Sequence, residues 1–195
     1  MRRIARSIWV LFVLAPNVVA AQTTASGQAP SAAAEDRPRR FSVHAAAGST
    51  IREGGNVLSL SLGFSPARRF TVLVGGERTY LPTRVTHYPD GGSAATRGGT
   101  LQLVSAEMRF ALRDPDHISP YIAAGFGGGV SRPNVNEFFR DEVRNNAGAG
   151  FVGGGVNVPL GSWLSAFADV RFSLHGEKDV IMPLVPVRGG VALRF

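Results

Sequence analysis

The stretch Arg188-Gly189-Gly190-Val191-Ala192-Leu193-Arg194-Phe195 alternates with a period of two and stops on an aromatic residue, and no other segment limits the fold as much. A strand sends successive side chains to opposite faces. Val187, Gly189, Val191, Leu193 and Phe195 therefore share one face, and Arg188, Gly190, Ala192 and Arg194 share the other. An apolar face backed by a cationic one suits a sheet that separates lipid from a polar interior.

The opening of the chain points the same way. Residues 1–20 have the three parts of an export signal: Arg2, Arg3 and Arg6, the apolar run Ile8 to Ala15, then Val18 and Ala20 as small residues before a cut, expected after Ala20. The run is too short to cross a bilayer as a helix, and Pro16 and Asn17 interrupt it. The chain has no Cys, which excludes a disulfide framework and a cysteine-linked lipid anchor. The net charge of +7 suggests nucleic acid at first sight, but three arginines lie in the signal. The remainder, 18 basic residues against 14 acidic, gives only +4. Without a basic cluster interleaved with aromatics, no nucleic-acid partner is expected.

Residues 21–39 (AQTTASGQAPSAAAEDRPR) are small and polar and are expected to form a disordered leader. The structured domain is expected over residues 40–195, with eight strands bounded by turn residues. These run from Phe41 to Ser49, Asn56 to Phe64, Arg69 to Tyr80, Gly99 to Leu112, Pro120 to Ser131, Ala147 to Val158, Trp163 to His175, and from about Leu184 to the end. The second is clearest: Leu58, Leu60, Leu62 and Phe64 alternate with Ser59, Ser61 and Gly63. In the seventh, Leu164, Ala166, Ala168, Val170, Phe172 and Leu174 oppose Ser165, Asp169, Arg171 and Ser173. The start of the fourth, with Leu101 and Leu103, alternates less cleanly and is expected to contain a bulge.

The joins show a second regularity. Ser65 to Arg68, Arg113 to Ser119 and Pro159 to Ser162 are short, whereas Leu81 to Gly98, Arg132 to Asn146 and Gly176 to Pro183 are longer, with Thr50 to Gly55 the shortest of that set. Alternating short and long joins fit a closed sheet whose two ends face different compartments, and they put both termini at the short-loop, periplasmic end. Closure also removes the strand edges that lipid could not solvate.

With eight such strands, these alternating joins and this last strand, residues from about Phe41 to Phe195 resemble the small eight-stranded outer-membrane barrels of the OmpA/OmpX type. The final strand resembles the assembly signal of that family: Arg188, Gly190, Leu193 and Phe195. The resemblance implies an all-β, eight-stranded antiparallel up-and-down transmembrane barrel in the bacterial outer membrane. Its partners would be membrane lipid, lipopolysaccharide and the barrel assembly machinery, and the chain would be a monomer. No peptidoglycan-binding domain of the kind some relatives carry is expected beyond Phe195.

Eight strands enclose an interior that side chains can just fill, so inward charges must pair. Parity turns Glu77, Glu107 and Asp169 inward together with Arg109, Arg171 and Arg188. Three charges of each sign predict a neutralising network that plugs the lumen. The inward face of the fifth strand carries Tyr121, Ala123 and glycines. The exterior joins hold Arg52, Arg84, Arg97, Arg132, Arg140, Arg144 and Lys178 against Glu53, Asp90, Glu137, Asp141, Glu142, Glu177 and Asp179, which excludes strong long-range steering. Individual rim arginines could still pair with lipopolysaccharide phosphates. Phe138 and Phe139, set among charges in the join Arg132 to Asn146, make that loop the best candidate for touching another molecule, or for packing over the barrel mouth.

Candidate catalytic groups are sparse. His44 is expected to fill the lumen, and His87 and His117 to lie in a loop and a turn. Ser173 and His175 share a face but stand in the wrong order for the His-x-Ser arrangement expected of a lipid A deacylase. No metal or cofactor is expected: His and Cys pairs at ligand spacing are absent, and Glu177 with Asp179 makes a poor carboxylate site. The glycine-dense run Gly125 to Gly129 lacks the Lys-Ser/Thr of a phosphate cradle and should serve packing. The sequence therefore predicts a non-enzymatic barrel that contributes to envelope integrity or surface interaction through its loops. The alternatives are a small-solute channel and, less well supported, a lipid A-modifying enzyme.

Overall fold

The computed structural model describes residues 40–51, 53–135, 144–177 and 180–195. The expected signal with its cut after Ala20, the leader, Phe138 and Phe139, and Lys178 and Asp179 lie outside these residues. Eleven strands are described in chain order: β1 (Phe41–Thr50), β2 (Asn56–Ala67), β3 (Phe70–Leu81), β4 (Arg84–His87), β5 (Ser93–Thr96), β6 (Gly99–Ala111), β7 (Ser119–Pro133), β8 (Asn145–Pro159), β9 (Leu164–Glu177), β10 (Val180–Leu184) and β11 (Pro186–Arg194).

Each barrel strand pairs antiparallel with its neighbours, and β10 followed by β11 makes the eighth stave, pairing along β9. The sheet closes where β11 meets β1, in register from Ser42 opposite Arg194 to Thr50 opposite Pro186. Two bonds seal the seam at its lower end: the Phe41 amide donates to the Phe195 carbonyl at 3.2 Å, and the Phe195 amide donates to the Phe41 carbonyl at 3.0 Å. The fold is a closed eight-stranded antiparallel up-and-down barrel, which leaves its wall without an unpaired edge.

The two faces are inverted relative to a protein with an apolar core. Leu58, Leu60, Leu62, Val104, Met108, Phe126, Val152 and Phe172 stand exposed on the outside, Leu62 at 67% and Phe126 at 70%. Glu107, Asp169, Arg171 and Arg188 are buried inside, each at 5% or less. On β9, the ten steps from Leu164 to Leu174, at about 3.3 Å each and tilted by about 40°, span about 25 Å, the height of an outer-membrane apolar band. The interior also has apolar layers. Tyr121, Ala123, Phe167 and Ala192 pack at one level, and Leu101, Leu103 and Ala147 at another.

Three sequence expectations need correction. β6 contains no bulge: its registers against β3 and β7 run unbroken, and Leu101 and Leu103 point inward on the same face as Glu107. They blurred the alternation because the inner face is itself partly apolar. Among the described pairings the register shift falls in β2 between Phe64 and Ala67, beside Pro66, whose nitrogen cannot donate to a ladder. The join predicted from Gly176 to Pro183 is mostly wall, since β9 continues to Glu177 and β10 begins at Val180. The join from Leu81 to Gly98 holds a separate hairpin, β4 with β5, turned at Asp90-Gly91, where Gly91 adopts a φ of 84°.

Because β9 and β10 extend beyond the level at which β1 turns into β2, the rim is uneven. The β1–β2 turn is tied down by Thr50, whose amide donates to the Gly55 carbonyl at 2.9 Å and whose hydroxyl accepts from the Gly55 amide at 2.8 Å.

Candidate functional site

The inward charges come from four strands: Glu77 from β3, Glu107 and Arg109 from β6, Asp169 and Arg171 from β9, and Arg188 from β11. Arg188 and Asp169 are direct cross-strand neighbours. The Arg188 guanidinium grips that carboxylate with two parallel bonds, Nε to Oδ1 at 2.9 Å and Nη2 to Oδ2 at 2.8 Å, the fork geometry that makes Arg–carboxylate pairs strong. Its third nitrogen, Nη1, reaches Glu77 Oε2 at 3.2 Å and the Ser59 hydroxyl at 3.3 Å. Arg188 thus ties the last stave to β9 on one side and to β2 and β3 on the other.

Glu107 is held from two sides. Arg109 Nε donates to Oε1 and Arg171 Nη2 to Oε2, both at 2.6 Å. Asp169 joins the two halves of the cluster. Its Oδ2 accepts from the Tyr121 hydroxyl at 3.0 Å and lies 3.6 Å from Arg109 Nη2, while its Oδ1 lies 3.4 Å from Arg171 Nε. That last approach is an ion contact and not an aligned hydrogen bond, because Arg171 Nε has no hydrogen-bond partner. Three carboxylates and three guanidiniums leave no formal excess, which a buried ion cluster requires.

Aromatic rings flank the charges. The Arg109 guanidinium carbon lies 4.9 Å from the Tyr121 ring centre and 4.8 Å from that of Phe167, and Arg171 lies 4.5 Å from Phe151. Cation–π contact of this kind compensates part of the hydration a buried guanidinium loses. Glycines opposite supply the room. A Cβ on Gly155 would lie 2.8 Å from both Asp169 Cβ and Tyr121 Cζ, so only glycine lets Tyr121 reach its carboxylate. Above the cluster, Glu77, Phe151, Arg171, Ser173 and His175 line a void of about 10 Å³, room for about one water.

Sequence reasoning missed Tyr121, Phe151 and Ser59 as members of this cluster. The inward position of Tyr121 was a usable signal, but parity identifies a face and cannot tell which neutral side chain reaches a charge.

Ser173 and His175 also come together, with His175 Nε2 3.1 Å from Ser173 Oγ. Ser173 donates its one proton to the Leu184 carbonyl at 3.1 Å, so it accepts from His175 and is not activated by it. His175 Nδ1 is buried without a hydrogen-bond partner, so among the described residues no acid orients the ring as a third catalytic member would. His44 stands inside against Ser42 at 2.9 Å, and His87 bonds Ser93 at 3.0 Å in the β4–β5 hairpin. His117 lies in the turn after β6.

A closed barrel of eight antiparallel strands, apolar outside and charged within, has the fold of the outer-membrane β-barrel class. No protein-family model matches the sequence, and no curated protein does. Among solved structures, the N-terminal β-barrel domain of Pseudomonas aeruginosa OprF is similar over 80% of this chain and 98% of its own, with 14% identity and a TM-score of 0.59. Neisserial surface protein A is similar over 80% of this chain and 95% of its own, with 14% identity and a TM-score of 0.56. A major outer membrane protein from Thermus thermophilus matches over 80% and 98%, with 17% identity and a TM-score of 0.51. At these identities the likeness is one of fold.

Proposed function

We propose that this chain is a non-enzymatic barrel of the bacterial outer membrane, anchored by its wall and closed by its charged interior, that supports envelope integrity or surface interaction through its exterior loops. The observation that carries the reading is the inversion of faces: Leu58, Leu60, Leu62 and Phe172 exposed, Glu107, Asp169, Arg171 and Arg188 buried. In water such a wall would be one continuous apolar patch, far beyond what soluble monomers tolerate. In a bilayer it is the required surface.

The six-membered ion cluster acts in this reading as the plug. Opening a pore would mean separating carboxylates and guanidiniums bonded at 2.6–3.2 Å inside a low-dielectric wall, which costs several kcal/mol per ion. Residues 1–20 would be removed after Ala20 and residues 21–39 would form a periplasmic leader, with both termini on the periplasmic side. The barrel would be a monomer with lipid and lipopolysaccharide around it. Arg188, Gly190, Leu193 and Phe195 at the end of the chain would be read by the barrel assembly machinery, a role supported by the position of β11 as the strand that completes the wall.

Two measurements on the purified protein test this. The folded barrel should run faster on a gel than the boiled chain and should be recovered from outer-membrane fractions; unchanged mobility with periplasmic recovery would overturn the membrane reading. In planar bilayers it should show no stable conductance. Steady single-channel steps would replace the plug with a channel.

A further inference from the structure

Arg194 breaks the pairing rule that the rest of the lumen obeys. It is the inward residue below Ala192 on β11, opposite the buried Ser42 of β1, and its amide donates to the Trp163 carbonyl at 2.7 Å. Arg109, Arg171 and Arg188 each contact two carboxylates. Among the described residues the Arg194 side chain forms no ion pair and no hydrogen bond, although it is half-buried. Asp116, the acid whose field reaches it from the turn after β6, stands beyond ion-pair distance and is bonded to Arg68 at 2.6 Å. The short-join end of the lumen therefore holds one guanidinium in excess, and drawing a cation partly out of water without a counter-charge is costly.

Polar atoms without partners gather around it. Ala192, one inward step above Arg194, pairs with His44 on one side and Ser165 on the other, and Asn157 stands in the next inward row beside Phe167. His44 Nδ1, Ser165 Oγ and Asn157 Nδ2 are all buried and all lack a hydrogen-bond partner, and Ser165 is only 1% exposed. The Arg194 guanidinium is near enough to the His44 ring to act on it electrostatically. Ser42 Oγ lies 2.9 Å from His44 Nε2, and with the hydroxyl donating, the neutral ring carries its proton on Nδ1. The set is then a guanidinium fork, an imidazole N–H, a hydroxyl and an amide NH2, donors on four neighbouring staves with no carboxylate among them.

We infer that the lumen mouth framed by β8, β9, β11 and β1 binds a single carboxylate, gripped by Arg194 and completed by the donors one and two steps above it. A carboxylate is planar and matches the guanidinium fork with two parallel bonds. One negative charge cancels the one cation in excess, whereas a phosphate dianion would bring an uncancelled charge towards Asp116. A free small acid and the end of a peptide share this chemistry. The site lies inside the wall, so it does not depend on whether lipid or water surrounds the barrel.

The test is saturation-transfer NMR on the full chain folded in nonionic detergent, with N-acetylalanine, acetate and, as the neutral control, N-acetylalaninamide. Both acids should bind and the amide should not. Tighter binding of N-acetylalanine than of acetate assigns a peptide terminus, and equal or weaker binding assigns a free small acid. Arg194→Gln should weaken acid binding about tenfold, the size of a lost charged hydrogen bond, and Ser165→Ala about threefold. Arg69→Gln, which removes an exposed arginine at the same end, should leave it unchanged. Amide binding as strong as that of the acids, an unchanged affinity in Arg194→Gln or Ser165→Ala, or equal losses in Arg194→Gln and Arg69→Gln would overturn the site. Displacement of N-acetylalanine by an equal concentration of inorganic phosphate or chloride would mean that the mouth reads charge alone, which also overturns it. Gel mobility before and after boiling shows which variants are folded. If Arg194→Gln does not fold, Ser165→Ala decides, since its neighbour on β11 is already Ala192.

Discussion

Arg171 on β9 crosses the lumen to Glu107 on β6 and meets its Oε2 at 2.6 Å, although 64 residues separate them in sequence. Two intervening staves, β7 and β8, stand between them along the wall, so this bond ties opposite sides of the barrel together. Removing Glu107 would take from Arg109 and Arg171 the hydrogen bonds they make to it and leave the buried cluster with three guanidiniums against two carboxylates. We expect Glu107→Leu to cost about 3–5 kcal/mol, read as a lower urea midpoint for protein refolded into phospholipid vesicles. Glu107→Leu combined with Arg171→Met removes one charge of each sign and should recover most of the loss. A double variant no more stable than Glu107→Leu alone would mean that the two charges are not coupled.

Tyr121 donates to Asp169 from within the cluster. Tyr121→Phe keeps the ring beneath Arg109 and deletes only the hydroxyl, so it should cost about 1.5–3 kcal/mol without changing the fold, the range for a bond to a charged group. The same urea titration decides it. A midpoint equal to wild type would mean that Asp169 is already satisfied by its arginines.

Leu62 points outward at 67% exposure. Leu62→Arg should destabilise the vesicle-inserted barrel by about 2–4 kcal/mol, as arginine does near the middle of a bilayer. For a barrel surrounded by water the same change would stay within about 0.5 kcal/mol. The two outcomes separate lipid from water as the solvent of this wall.

Gly155 and Gly150, both on β8, face opposite sides of the wall. Gly155→Ala drives a methyl into the Ala168 carbonyl as well as into Tyr121 and Asp169 and should cost about 1–3 kcal/mol. At Gly150 an added Cβ meets nothing within 4 Å, so Gly150→Ala should be neutral or up to about 1 kcal/mol more stable. The temperature at which the folded gel band converts to the unfolded one gives both values, and reversed signs would mean that the two faces of β8 are exchanged.

The barrel was legible in sequence wherever one face was uniformly apolar and the other small or polar. β2 and β9 meet that condition from Leu58 to Phe64 and from Leu164 to Leu174. It failed where both faces were apolar, as at Leu101 and Leu103, because periodicity there looks like an irregularity when it is only a greasy layer of the interior. It failed again where turn residues lie inside a wall. Gly176 and Pro183 read as a loop, yet each pairs across the β9–β10 hairpin. The β4–β5 hairpin had a usable signal in Asp90-Gly91, but its four-residue arms were too short for alternation to mark them. For the interior, a period of two assigns a face to each ionisable residue once the strand is known. It does not assign partners, because contacts such as Arg188 to Glu77 depend on how far the strands are staggered around the barrel.

The seam between Phe41 and Phe195 makes assembly all-or-none. A chain that lacks only β11 has made its other barrel hairpins but still exposes two rows of unpaired amides and carbonyls, and no hydrocarbon environment can satisfy them. Half a barrel is therefore not a weaker barrel in the membrane.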